Sequence, residues 1–248
     1  MQIIAIAAAA VQLALGAGPS LRTQAPKIHN ASTDVVFMIV VSGSMRRLID
    51  EAKNLMYEVG SAYRASSPRG TLRVGFLIYG NGSKEIDRLD LTTDLGKAEQ
   101  YLSAVQSLTV YQEYVPEFLE KAVKTFQWDP FASKNLIAVG NEIPQQGNKM
   151  LLAAVDEARR LDVMTSAIWC NMYSRDRQSQ RELSVAVMER LKWQEIAQVG
   201  GGFFLEVNIN AIRERQAREA QHREFQKRLQ EATVAAHRRQ LASLTRRR

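Results

Sequence analysis

The chain has 248 residues, of which 46% are hydrophobic and 24% charged, with 14 Gly and 6 Pro. This composition excludes a disordered or collagen-like protein and predicts one packed domain with appendages. The net charge of +7 comes from segment 211–248, which holds eleven Lys and Arg against four Glu. The rest of the chain is neutral, which argues against a protein that reads nucleic acid specifically, because such domains carry positive charge on their folded face.

Cysteine and histidine exclude two further classes of protein. The single cysteine, Cys170, cannot form an intramolecular disulfide framework, and its apolar surroundings in 166–170 predict a buried thiol rather than a reactive one. The three histidines are scattered at 29, 222 and 237, and their spacing matches no zinc signature. We therefore expect packing, not cross-links or structural metal, to stabilise the fold.

The N-terminus predicts export. Residues 1–17 form an apolar run that ends in small residues, and a polar linker containing Pro follows at 18–33. This pattern is typical of a signal peptide, so we expect a periplasmic or extracellular protein. No Lys or Arg precedes the apolar run, and a short membrane anchor or a buried helix remains an alternative.

The body of the chain alternates strands and helices. Residues 34–41 form a continuous β-branched and apolar run, which predicts a central strand buried on both faces of a parallel sheet. The turn Ser42-Gly43-Ser44 then leads into a helix over 45–65. Further strands are predicted at 71–79, 84–90 (an edge strand), 135–139, 163–170 and 203–207, and further helices at 95–108, 116–126, 149–161 and 184–199.

This alternation predicts an α/β fold, with a doubly wound, mostly parallel sheet flanked by helices in a single domain over 34–210. Ligands of such sheets bind at the carboxyl ends of the strands. The loops after residues 41, 108 and 139 are therefore the places to look for a site. Segment 211–248 predicts a charged, solvent-exposed helical tail, whose last three arginines offer weak binding to anionic lipid or nucleic acid as an alternative role.

The run 35–45, Val-Val-Phe-Met-Ile-Val-Val-Ser-Gly-Ser-Met, resembles the first motif of von Willebrand factor A (vWA) domains, a hydrophobic strand followed by Asp-x-Ser-x-Ser. Segment 193–203 is similar to the last helix of that family leading into its final strand. The resemblance covers 34–210 and implies a Rossmann-like vWA domain. It also implies a metal-ion-dependent adhesion site, in which two Asp, two Ser and a Thr surround Mg²⁺ and leave one position for a partner's carboxylate.

The sequence departs from this pattern at the residues that would hold the ion. Val40 stands at the first Asp, and an isopropyl group supplies neither oxygen nor charge to a hard cation. The resemblance places Val115 at the Thr and Asn141 at the second Asp. The metal ligands that remain as candidates are Ser42, Ser44, Glu113, Asn141 and Glu142, where Glu113 or Glu142 would replace the missing acid. We therefore expect no cofactor, or at most weakly bound Mg²⁺.

Alternative roles for the first loop stay open. Ser42 and Ser44 also suit helix N-capping, and the same turn exposes backbone N–H groups that suit an anion. The sequence lacks a Gly-x-Ser-x-Gly elbow, a Walker lysine loop and a Gly-x-Gly-x-x-Gly fingerprint, and no histidine lies within 34–210. Glu113, Glu117 and Glu142 offer carboxylates for acid–base chemistry, but clustered carboxylates on a loop face are more often solvated than catalytic.

The sequence thus predicts a non-enzymatic, exported interaction module with weak or no metal dependence. Its predicted surface for a protein partner is the strand carboxyl face around Ser42, Gly43, Ser44, Glu113 and Asn141. One alternative is a Mg²⁺-dependent adhesion domain that uses Glu113 or Glu142. Another is a structural subunit associated with a membrane through its N-terminal segment or basic tail.

Overall fold

The computed structural model describes residues 32–43, 45, 49–66, 69–82, 84–107, 112–141, 147–171 and 180–208, together with 227 and 231. The predicted signal peptide, most of the linker 18–33 and nearly all of the tail 211–248 lie outside these described residues. So do Ser44 and Glu142, two of the predicted site residues.

The described strands form one mixed sheet with the order β3-β2-β1-β5-β6-β7, to which the short β4 is added beside β2. Their bounds are β1 Thr33–Val40, β2 Leu72–Gly82, β3 Lys84–Thr92, β4 Gln112–Glu113, β5 Ser133–Gly140, β6 Val163–Asn171 and β7 Gly201–Asn208. Only β3 pairs antiparallel, and it lies at the edge next to β2. The mostly parallel sheet and the edge strand are confirmed, whereas β4 was missed because two residues carry no periodicity.

The helices lie in two layers. Their bounds are α1 Ile49–Ser66, α2 Leu95–Ala104, α3 Val115–Thr125, α4 Gly147–Arg160 and α5 Gln180–Gly200. Helices α1 and α2 pack together on one face, where Tyr101 of α2 stacks on Phe76. Helices α3, α4 and α5 pack side by side on the other face, where Phe118 of α3 contacts Tyr79. The predicted doubly wound architecture is confirmed.

Helix α1 is described from Ile49, and Met45, where the predicted helix begins, lies in a separate turn. The N–H of Met45 donates to the carbonyl of Ser42 at 3.0 Å, three residues back. A bond of this span is that of a tight 3₁₀ turn, which precedes the helix proper. Within the described parts of the chain, none of the helices has the length and apolar character needed to cross a bilayer.

Strand β1 lies inside the sheet between β2 and β5, and all of its residues are buried. This confirms the prediction of a central strand covered on both faces. The chain leaves β1 toward β2 on one side and leaves β5 toward β6 on the other, so the winding reverses between β1 and β5. Such a reversal opens a crevice at the carboxyl ends of the two strands, where doubly wound folds bind their ligands.

A partly buried ion pair lies at the amino edge of the sheet. The carboxylate of Asp34 accepts from Arg73 Nε at 2.8 Å and Nη2 at 2.6 Å, and also from the Asp129 N–H at 2.8 Å. The hydrogen bond to Asp34 raises the pKa of Arg73, which also donates to the carbonyl of Gln127. A paired charge of this kind ties β1, β2 and the loop before β5 together.

The junction of α5 and β7 requires glycine. A Cβ on Gly202 would lie 2.3 Å from Ser166 Oγ and 2.3 Å from the Thr165 carbonyl oxygen, closer than such atoms approach. Gly201 has a φ of 69°, in the left-handed region that favours glycine. The Gly200–Gly202 run therefore lets the chain leave α5 and lie directly against β6.

We expect Gly202→Ala to lower the free energy of unfolding by about 1–3 kcal/mol, because β6 and β7 must separate to admit the methyl group. The matched control is Gly60→Ala within α1, where an added Cβ meets no atom within 4 Å. That change should raise stability by about 0.5–1 kcal/mol through helix propensity. Urea unfolding of both variants checks the pair. An unchanged midpoint for Gly202→Ala would show that the two strands do not approach this closely.

Candidate functional site

The floor of the crevice is apolar. The register pairs Ile39 with Val139, so that Val40 and Gly140 lie side by side at the ends of β1 and β5. A Cβ on Gly140 would lie 3.0 Å from Val40 Cγ1 and 2.8 Å from Trp193 Cη2. Val40 and Trp193 are both 0% exposed. The indole of α5 thus covers the strand ends at the level where the vWA pattern has its first Asp.

The first loop, which begins at Ser42, follows directly after the end of β1. The N–H of Val41 donates to the Tyr79 carbonyl at 3.0 Å, which continues the pairing of β1 by one residue. Ser42 is then buried, and Gly43 is half-buried. The predicted strand-to-turn junction is therefore in place at these residues. The capping and ligand roles of Ser42 and Ser44 stay predictions.

Asn141 follows β5 and is 3% exposed. Its backbone carbonyl accepts the indole N–H of Trp169 at 3.0 Å, which holds the residue at the edge of the sheet. Its side-chain Oδ1 has no hydrogen-bond partner in the structure as described. A buried acceptor in this state costs about 1–3 kcal/mol, and an incoming N–H or O–H donor would recover that energy.

Glu113 reaches the same edge by way of β4. The pairing of Gln112–Glu113 with Asn81–Gly82 lies just beyond the point where β1 ends beside Tyr79. Strand β3 pairs with one side of β2, so β4 pairs with the other side, beyond the end of β1. This brings the backbone of Glu113 close to the first loop. Val115, which stands at the family's Thr position, is completely buried. The role of Glu113 as a ligand-binding or metal-binding residue stays a prediction.

The residues described at the crevice do not fit a Mg²⁺ site of the vWA kind. Val40 and Val115 supply no oxygen, and Ser42 and Asn141 are neutral. Across the described residues, no group of three or more His, Cys, Asp or Glu side chains is arranged to hold a metal ion. Mg²⁺ requires a near-octahedral shell of hard oxygen ligands. These positions therefore offer hydrogen-bonding groups rather than a coordination shell.

Sequence reasoning missed one acidic residue close to this site. Glu189 is only 6% exposed, although it belongs to a helix that carries many charged residues. It lies on the inward face of α5, in a stripe with the buried residues Ala186, Trp193, Ile196 and Gly200. The spacing of three and four residues along this stripe was the available signal, because residues so spaced share one helix face.

The direction of α5 places Glu189 at the crevice end of the sheet. Gly200 lies against Thr165 near the start of β6, whereas Trp193 lies against Gly140 at the end of β5. The helix therefore runs from the carboxyl edge to the amino edge. Glu189 precedes Trp193 by one turn, which moves it about 6 Å farther toward the carboxyl edge. This is the level of the residues that follow β1 and β5.

A polar network fastens this half of α5 to the sheet. Arg190 Nε donates to Glu206 Oε2 at 3.0 Å, and Asn171 Nδ2 donates to Glu206 Oε1 at 2.9 Å. The guanidinium of Arg190 also lies 5.6 Å from the ring centroid of Phe204. These contacts with β6 and β7 fix the position of α5 at Arg190, the residue that follows Glu189.

Cys170, on β6, is buried as predicted.

No family model and no curated protein matches the sequence. Solved structures do match. BatB from Bacteroides thetaiotaomicron is 17% identical with a TM-score of 0.57, and the match covers 79% of this chain and 98% of that one. A von Willebrand factor type A protein from Catenulispora acidiphila is 13% identical with a TM-score of 0.54, covering 82% and 43%.

The described domain has the von Willebrand factor A fold. A third structure similar to this domain is the pilus adhesin SpaC from Lactobacillus rhamnosus GG, 14% identical with a TM-score of 0.54, covering 80% of this chain and 30% of that one. Identities this low establish the fold alone. The fold that the sequence resemblance implied is therefore confirmed.

We expect Val40→Asp to lower the free energy of unfolding by about 2–4 kcal/mol, because the new carboxylate would be enclosed by Gly140 and Trp193. Millimolar Mg²⁺ should recover part of this loss, since the carboxylate would join the hydroxyl of Ser42 beside the ion. Urea unfolding with and without Mg²⁺ measures both effects.

The control is Val40→Asn, which is similar in size and polarity but lacks the charge. It should also be destabilised, without any response to Mg²⁺. If Val40→Asp keeps the original urea midpoint, residue 40 is not enclosed in this way. If Mg²⁺ does not stabilise it, the loop is out of register with the vWA motif.

Proposed function

We propose that this vWA domain is an exported interaction module that binds a protein partner at the carboxyl edge of its sheet without requiring a metal ion. The surface is centred on Ser42, Gly43, Glu113 and Asn141, with Ser44 in the same loop. The observation that carries the proposal is the apolar packing of Val40, Gly140 and Trp193 at the carboxyl ends of β1 and β5, where the winding of the sheet reverses. The crevice is the usual ligand position of a doubly wound fold, but its floor suits direct contact rather than an ion.

Exposed apolar side chains near this edge support a protein partner. Met150 lies in the first turn of α4, and Val187, Met188 and Leu191 lie in the part of α5 that precedes Trp193. These side chains are 51–57% exposed. Both helix segments lie toward the carboxyl edge, because α4 follows β5 and α5 runs back from that edge. Exposed apolar groups mark protein interaction surfaces, and methionine adapts well to a partner.

Two further points support the proposal. One of the similar structures is a pilus adhesin, so this fold is used for attachment elsewhere. Export is proposed from the apolar residues 1–17 and the polar linker that follows them.

A catalytic role is not proposed, because no histidine lies between residues 30 and 221 to serve as a general base for the loop hydroxyls.

The position of the partner surface is testable with photo-crosslinking amino acids at two exposed apolar positions. Met150 lies toward the carboxyl edge, and Phe131, which is 69% exposed, lies at the amino edge before β5. We expect the protein, expressed in its native host, to crosslink to one defined partner from position 150 and not from position 131. Chelation of divalent cations should leave this yield unchanged. Equal crosslinking from both positions, or from 131 alone, would contradict the proposal.

A Mg²⁺-dependent adhesion domain is the second candidate, favoured by the pairing of β4 that brings the backbone of Glu113 beside the first loop. Isothermal calorimetry with Mg²⁺ and Mn²⁺ separates the two. We expect no saturable heat, because the first acid of the motif is Val40. Saturable binding in the micromolar range, abolished by Glu113→Gln, would establish the metal-dependent alternative with Glu113 as its carboxylate. Binding that is unchanged by this substitution would make Glu142 the candidate carboxylate.

A further inference from the structure

We propose that the tail 211–248 docks on the far side of β6 and β7, that is, the side turned away from α5, and so completes the domain. This inference assigns an occupant to a surface that is separate from the carboxyl edge. It rests on the proposed function in one respect, namely the export that removes residues 1–17.

The contacts of α5 identify the far side of β7. The guanidinium of Arg190 in α5 lies 5.6 Å from the ring centroid of Phe204 and forms an ion pair with Glu206. Phe204 and Glu206 therefore point toward α5. Successive side chains of a strand point to opposite sides of the sheet. The residues of β7 that alternate with these two, and so point to the far side, are Phe203, Leu205 and Val207.

The far side continues onto β6. The register pairs Ile168 with Leu205 and Cys170 with Val207, and residues paired in this way point to the same side of a sheet. Together with Phe203 they form an apolar surface of five side chains, each of which is at most 7% exposed. A sheet face buried this completely requires another layer of structure packed on it.

The described helices do not supply that layer. Helices α1 and α2 pack against β1, β2 and β3, whereas α5 packs against β6 and β7 from the side that carries Phe204. A helix is about 10 Å wide and strands lie about 4.8 Å apart, so one helix covers about two strands. Among the described helices, none therefore lies over Cys170 and Val207. The cover belongs to residues before 32 or after 208.

The tail has the position and the length to be this cover. Strand β7 ends at Asn208, and the forty residues 209–248 follow it directly. The eight residues of β7 extend about 26 Å. A helix of about 18 residues spans that distance at 1.5 Å per residue. The tail can therefore turn back at the carboxyl edge and cross the whole far side.

The tail also has an apolar stripe on the appropriate helix face. Lys227 and Glu231 are helical and exposed. At 100° per residue, side chains two positions away from these point in nearly the opposite direction, and they are those of Phe225 and Leu229. Ala232 continues the stripe at a spacing of three residues. We infer that this stripe makes the contact with the far side.

Residues 1–17 are the rival cover, because they are also apolar. As a signal peptide they are removed on export, which would leave the five apolar side chains exposed in the mature protein. The part of the linker that stays is polar and contains Pro19 and Pro26, which do not suit a helix across the sheet. The tail is the segment that remains with the exported domain.

The first test places the photo-crosslinking residue p-benzoylphenylalanine at position 225 of the full chain, where it extends the natural ring. The matched control carries it at position 227, which is exposed. Peptide mass spectrometry of the irradiated protein identifies the contacts. We expect position 225 to crosslink within the same chain to residues 163–171 or 201–208. Position 227 should crosslink there with at least tenfold lower yield.

The second test uses Cys170, the only cysteine of the chain, as a reporter of the cover. We expect Leu229→Asp to raise the rate at which the thiol reacts with DTNB at least tenfold. An acid is not stable in an apolar contact, so the tail leaves the far side and the thiol becomes accessible. Lys227→Asp and Leu13→Asp should leave the rate unchanged. The urea midpoint shows whether Leu229→Asp is folded, and crosslinking from position 225 decides the question if it is not.

Three outcomes would overturn the inference. They are crosslinks from position 225 to a second copy of the chain, equal yields from positions 225 and 227, and an unchanged thiol rate in folded Leu229→Asp. A faster thiol reaction in Leu13→Asp would also overturn it, because residues 1–17 would then be the cover.

Failure of this inference is distinguishable from failure of the proposed function. The mass of the protein purified from its native host shows whether residues 1–17 are removed, whatever position 225 contacts. Crosslinking from position 150 reports on the carboxyl edge alone. A tail that does not dock would therefore leave both parts of the proposed function standing.

Discussion

The burial of β1 on both faces is the constraint on which the rest of the structure depends. The strand lies between β2 and β5 and all of its residues are buried, which favours apolar side chains, and Val35 to Val40 are all apolar. Val40 meets this preference at the last residue of the strand, where the vWA pattern calls for an acid. The hydrophobic core therefore extends to the carboxyl end of β1.

The two edges of the sheet differ in chemistry as a result. At the amino edge, Asp34 is completely engaged by Arg73 and by the backbone of Asp129, so the charges there hold the fold together. At the carboxyl edge, Asn141 retains an acceptor without a partner among the described residues, and apolar side chains of α4 and α5 face outward. The charges at the amino edge therefore stabilise the fold, whereas the carboxyl edge is the surface proposed for a partner.

Most of the fold could be predicted because each element carries its own pattern. The local sequence indicates three features of the structure, namely the buried strand at 34–41, the charged edge strand and the junction at Gly200–Gly202. Strand β4 could not be predicted, since two residues have no period and pair only because β2 is long. Ser42 and Asn141 were placed at the strand ends correctly. Glu189 was missed because a charged helical residue usually faces water, although its spacing from Ala186 and Trp193 places it on the inward face of α5.

The missing Cβ of Gly140 has a consequence for how such a domain changes over generations. The space it leaves is shared by the Trp193 ring and the Val40 methyl group, which lie far apart along the chain but meet at one point. A mutation that places an acid at residue 40 alone would bury charge against the indole, and a smaller residue at 193 alone would leave a cavity. Each single step lowers stability, so a chain that carries both changes can be reached only through less stable intermediates.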